Sequence, residues 1–156
     1  MKNGSKCQVL ALSLCLVSGA AAAQTAMSQE EQDAICPLVS EMAMVAAGFR
    51  DEGRDKASAD AAVLREFKVS DKPEKVRAVV SKLADGVTTM VYATPTLEPD
   101  TEAGFHFAAC LLNFYQDINS LKQRLPALLE TAEGCQHQNS VTEARIKCIL
   151  NRFQEG

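Results

Sequence analysis

Four of the six cysteines, two histidines and a scatter of carboxylates and methionines are the side chains on which chemistry could rest. Cys36, Cys110, Cys135 and Cys148 are spaced widely and unequally, and no C-x-x-C occurs. Zinc fingers and ribbons draw their thiolates from close pairs, so this spacing argues against a metal site. An even set of cysteines in an exported chain reads instead as two disulfides. Three pairings are possible. Cys36 with Cys110 and Cys135 with Cys148 is the expected one, because the second pair lies close in sequence and the first would join two long helices. In the chain-entropy account these bridges contribute roughly 4 and roughly 3 kcal/mol.

The remaining candidates point away from catalysis. His106 stands between Phe105 and Phe107 and is expected as a partly exposed helix residue; His137 is expected in a polar loop between Cys135 and Cys148. Neither has a nucleophile and an orienting acid beside it in sequence. No G-x-S-x-G, H-E-x-x-H, Walker loop or dinucleotide-type glycine pattern is present. Glu30, Glu31 and Asp33 suit the positive end of a helix dipole. Asp51, Glu52 and Asp55 lack the alternating ligands and terminal glutamate of a calcium loop. Met42 falls on an apolar stripe, where packing accounts for it, and Met27, Met44 and Met90 form no cluster of soft ligands. No catalytic, cofactor-binding or metal-ligating residue is expected, and no cofactor.

The elements that must position the cysteines are helices. In residues 28–53, Ile35, Leu38, Val39, Met42, Val45, Ala46 and Phe49 recur at steps of 3, 1, 3, 3, 1 and 3, one stripe of a 3.6-residue helix. Ser28 with Glu31 forms a capping box, Gly53 suits the C-terminal cap, and Pro37 should kink or restart the helix. Ser58 reads as the cap of a short helix over 59–67, and Ser70 to Pro73 as the next start, with Pro73 in the first turn. Val76, Val79, Val80, Leu83, Val87, Met90 and Val91 keep a helical period. The valine- and threonine-rich run 87–93 has a strand alternative, but the period does not change through Gly86.

The two prolines of 94–99 break the chain. A fourth helix then runs from Asp100 to about Gln116, apolar around most of its girth and so expected to be central, with Cys110 on its inner stripe. A fifth starts at Ile118, is interrupted at Pro126 and ends at Gly134. The polar stretch 136–140 should be a loop, and Ser140 with Glu143 caps a last helix over 141–153. The expected fold is all-α: a single compact bundle of five or six helices with two disulfides.

Residues 1–23 read as a secretory signal peptide, leaving 24–156 as a single helical domain. Lys2 and Lys6 precede the apolar run 9–17, and Ala21 and Ala23 give an A-x-A cleavage site. A bilayer span needs about 18 apolar residues, so no integral membrane segment is expected after cleavage. Six cysteines become four, since Cys7 and Cys15 leave with the leader. The formal charge of −4 becomes more negative by two, because the leader carries two lysines and no acid. Such a chain is not expected to bind nucleic acid or an anionic membrane as its main partner. Between Asp85 and Glu143 the bases are Lys122 and Arg124, against eight acids; this suggests an acidic half that faces a basic partner.

The functional expectation is an exported, periplasmic or secreted, non-enzymatic protein that binds another protein, as an inhibitor, an immunity-type antagonist or an accessory subunit. The alternative is a helical carrier or sensor of a small apolar ligand held between helices.

Overall fold

The computed structural model describes residues 28–112 and 118–155. It is an all-α bundle: α1 Gln29–Asp51, α2 Lys56–Glu66, α3 Glu74–Ala93, α4 Pro99–Leu111, α5 Ile118–Gln138 and α6 Thr142–Glu155, with a 3-10 turn Val69–Asp71 between α2 and α3. No strand occurs among the described residues. Residues 1–23, expected as a signal peptide with Cys7 and Cys15, and the expected end of the fourth helix at Gln116 lie outside them. None of these helices is long and apolar enough to cross a membrane.

The stripe on α1 buries Val39, Met42 and Ala46, while Leu38 is left 41% exposed. α1 is continuous through Pro37, with no restart there. Asp33 and Pro37 are both exposed, so water can serve the carbonyl that lacks its helical donor. Gly53 follows with φ 74°, the left-handed conformation expected of it. α2 begins earlier than expected. Asp55, not Ser58, is its N-cap, and the Asp55 carboxylate accepts the Ser58 N–H at 2.7 Å. That bond holds the Asp55 carboxyl below the usual carboxylate range. Pro73 stands one residue before α3 as its N-cap.

Residues 87–93 are helical throughout. Thr88 is fully buried there, and its hydroxyl donates to the Ala84 carbonyl at 2.9 Å, so a polar β-branched residue is tolerated inside the bundle. α4 starts at Pro99, with Asp100 and Glu102 in its first turn. α5 is not ended by Gly134; it continues through Pro126 and Gly134 to Gln138, and the loop before α6 shrinks to residues 139–141. His137 is therefore an exposed residue of the last helical turn rather than of a loop.

α4 is the shared wall between two apolar cores. Cys110, with Phe107 and Leu111 behind it, joins Cys36, Val39, Met42, Ala43, Val63, Ala84 and Val87 from α1, α2 and α3. Phe105 and Ala108 join Leu128, Ala132, Ile149 and Phe153 from α5 and α6, with Leu97 beneath. This double duty is why α4 is apolar almost all round. Gly104 marks its closest approach to α6: a Cβ there would meet Ile146 Cγ1 at 3.0 Å and Ile149 Cδ1 at 3.3 Å.

Candidate functional site

Both expected disulfides form. Cys36 on α1 bonds Cys110 on α4, with Cα atoms 5.4 Å apart across a sequence separation of 74. Cys135 on α5 bonds Cys148 on α6, with Cα atoms 5.8 Å apart across a separation of 13. Cys36, Cys110 and Cys135 are buried. Cys148 is half-buried, so the Cys36–Cys110 bridge is the staple shielded from solvent at both sulfurs.

A second cluster was not anticipated from the sequence. Arg50, in the last turn of α1, points inward with its side chain 8% exposed. Its Nη1 donates to Glu102 Oε1 at 2.7 Å, to the Thr94 carbonyl at 2.9 Å and to the Val91 carbonyl at 3.1 Å. Its Nη2 donates to the Leu97 carbonyl and pairs with Asp51 Oδ1 at 2.8 Å. Pro95 and Pro99 remove two backbone N–H groups here, and the carbonyls of Val91 and Thr94 accept long backbone bonds, from Thr94 at 3.2 Å and Leu97 at 3.3 Å, which leaves each with capacity for Arg50. A planar guanidinium with five donors can collect several acceptors at once, as it does here.

Glu102 completes the cluster from α4. Its Oε1 also accepts from the Thr94 hydroxyl at 2.5 Å. Its Oε2 accepts no hydrogen bond among the described residues and lies 3.6 Å from His106 Nε2, one helical turn on. Burial pushes the Glu102 carboxyl up to about 7, against the pull of Thr94 and Arg50. Burial pushes the His106 imidazole down to about 3, so it is neutral at physiological pH. His106 is thus fully buried, against the partly exposed position expected of it. The reason is the double packing of α4, which leaves the helix no solvent face at this level. A trace was present in the sequence: Glu102 and His106 stand four apart on a helix without a polar face, so one turn of it had to bury both.

A carboxyl poised near neutrality beside a neutral imidazole has the makings of an acid–base pair. Here both side chains have no exposed surface. Two surface grooves lie elsewhere. One, of about 490 Å³, is lined by Leu64, Arg65, Lys68 and Val69. The other, of about 300 Å³, lies between α5 and α6 over Leu128 and Phe153, with Arg124 and Arg152 in its lining. Neither reaches Glu102 or His106. No group of three or more His, Cys, Asp or Glu able to hold a metal ion is gathered among the described residues.

The acids of the second half do not stay apart from bases. Asp85 pairs with Lys56, Glu98 with Arg145, Glu102 with Arg50 and Glu143 with Lys147. All four bases come from outside the segment 85–143, so folding mixes the charge that the sequence separates. Compared with known protein families, curated proteins and solved structures, the chain matches none of them.

Proposed function

We propose that this protein is an exported, non-enzymatic scaffold of the periplasm or extracellular space that acts by binding another protein, as an inhibitor, an antagonist or an accessory subunit. The carrying observation is that Glu102 and His106, an acid–base pair by residue type and spacing, have no exposed surface, and that Glu102 is held by Arg50 and by Thr94 of the α3–α4 turn. A substrate has no route to them through either groove described above. The two disulfides support an oxidising compartment, and the leader-like segment 1–23 supports export. A stapled bundle loses little conformational freedom on docking, which favours recognition by a rigid surface. Neither nucleic acid nor a bilayer interior is part of this reading.

The test is capture of partners by the oxidised protein from envelope and culture extracts, with the reduced protein as control. A stoichiometric protein held only by the oxidised form is the expected result; turnover of any substrate by the isolated protein would overturn the reading. The groove between α5 and α6 favours a second reading, a small amphipathic ligand with its apolar part on Leu128 and Phe153 and an anionic end near Arg124 and Arg152. Native mass spectrometry of the freshly isolated protein separates the two, because a bound small molecule adds its own mass.

A further inference from the structure

Five large apolar side chains of the described residues are strongly exposed, and four of them lie on two helices: Leu38 (41%) and Met44 (42%) on α1, Val76 (44%) and Val79 (68%) on α3. On α1 they belong to an outward face with Glu30, Pro37, Glu41 and Gly48, at steps that keep one side of the helix. Asp33 flanks this face, and the one base of α1, Arg50, is turned inward. On α3 the matching face is Lys75, Val76, Val79, Lys82 and Gly86, at steps of 1, 3, 3 and 4. Its acids, Glu74 and Asp85, lie on the other side of that helix. One face is apolar and purely acidic; the other is apolar and purely basic. Glu30, Asp33, Glu41, Lys75 and Lys82 make no ion pair among the described residues, so their charge is available to a partner.

Each face also carries a glycine that nothing inside the molecule requires. A Cβ at Gly48 or at Gly86 would meet no atom within 4 Å, and neither has a positive φ. A glycine inside a helix is less favourable than alanine by about 1 kcal/mol. Small residues are useful where a second helix must come close. The two faces are similar in length, since helices of 23 and 20 residues span about 34 and 30 Å at about 1.5 Å per residue.

We propose that a second copy of this chain is the occupant of these faces: the acidic α1 face of one molecule packs against the basic α3 face of another, with Leu38 and Met44 against Val76 and Val79. The contact joins unlike surfaces, and its charges set the pairing and its salt dependence. This inference is independent of the proposed function, because it concerns how the chain meets itself.

The experiment is sedimentation velocity of the oxidised protein, produced from the full-length chain, over micromolar to near-millimolar concentrations at low and high salt. Reversible self-association that weakens with salt is expected. Glu41→Lys on one sample and the pair Lys75→Glu and Lys82→Glu on another should each weaken it at least about tenfold. Mixing these two samples should restore it. Gly86→Leu should abolish association while circular dichroism shows helicity unchanged or raised, since the site is open within one molecule. A wild-type protein that stays monomeric throughout overturns the proposal, as does association untouched by these variants. Binding of the monomer to phosphatidylglycerol vesicles through Lys75 and Lys82, without self-association, overturns it in favour of an anionic surface.

Discussion

Around α1 the fully buried side chains are alanine, valine and cysteine, with Met42 the largest. Around α5 and α6 they include Phe105, Phe153, Ile149, Leu97 and Leu128, and the rings of Phe105 and Phe153 meet edge to face at 5.7 Å. A large side chain gains about 1.5–3 kcal/mol on full burial, and an alanine much less. The first region therefore draws less from each buried residue, and it is here that long-range directional links are partly shielded from solvent. Cys36 bonds Cys110, Gln32 donates to the Leu111 carbonyl, Ser40 to the Ala103 carbonyl, and Arg50 ties α1 to the α3–α4 turn. These links join residues 41 to 79 apart in sequence. The second region is closed by a disulfide across 13 residues, by the α5–α6 turn, where Arg145 donates to the Asn139 carbonyl, and by long-range links at its exposed rim, where Arg145 donates to Glu98, Thr142 to Asp100 and Gln136 to the Thr96 carbonyl. Small buried residues let helices come close, but the closeness has to be held by specific bonds; large ones hold by area.

The sharpest way to break this comparison is Arg50→Ala. It leaves Glu102 buried without its cation, takes the Arg50 donor from the Leu97 carbonyl and takes one of the donors from each of the carbonyls of Val91 and Thr94. A loss of about 3–5 kcal/mol is expected in urea unfolding followed by circular dichroism, the cost of breaking a buried ion pair on one side. A loss under about 1 kcal/mol would mean that the first region holds by area after all. Removing the disulfides sets the two regions against each other. Cys36→Ala with Cys110→Ala should cost roughly 4 kcal/mol, and Cys135→Ala with Cys148→Ala roughly 3 kcal/mol, from the lengths of the loops they close. Equal or reversed losses in the same assay would show that the second region leans on its staple more than on its aromatic core.

Gly104→Ala tests the seam between the regions. The added methyl meets Ile146 and Ile149 at 3.0 and 3.3 Å, so α6 must shift, and a loss of about 1–3 kcal/mol is expected against a helix-propensity gain near 1. A stabilised variant would show that α6 can yield.

The smallest effect, and the one most specific to the first region, is in pH. The folded pKa of Glu102 is raised, so its share of stability is complete below about 4.5 and is lost as pH rises to about 7. The folded pKa of His106 is lowered, so its share is complete above about 6.5 and is lost as pH falls towards about 3. Between about pH 4.5 and 6.5 the two slopes oppose each other. Glu102→Gln should expose a stability that rises with pH in that window, and His106→Phe one that falls, each by at most about 1.4 kcal/mol per pH unit. Parallel profiles for wild type and both variants would remove the pair from the account.

Much of this organisation was legible from the residues in order. Helical periodicity located all six helices, because one buried side of each must repeat at 3.6 residues whatever it packs against. The disulfides were legible for a related reason: Cys36 and Cys110 sat beside or on apolar stripes of two long helices, and Cys135 and Cys148 flanked a short connection. The boundaries were less legible. Asp55 and Ser58 are both good caps, and the choice between them depends on which N–H reaches which oxygen. Gly134 reads as a stop, yet α5 continues through it. Among the described residues a Cβ at Gly134 would approach the Arg152 guanidinium, at 4.0 Å, so packing neither demands nor forbids a glycine there.

Periodicity reports which side of a helix is apolar, and so the sequence by itself determined the helices and their order and favoured one of three pairings of the sulfurs, which the fold then decided. It could not report how many neighbours a helix has. Placing α4 between α1 and α6 was decided only in three dimensions, and that placement buried Glu102 and His106, drew Arg50 inward and matched acids of the second half to bases from outside it. A charge's position in the chain says nothing of the dielectric around it; that depends on the atoms that close over it, and those arrive from residues 40 to 50 positions away.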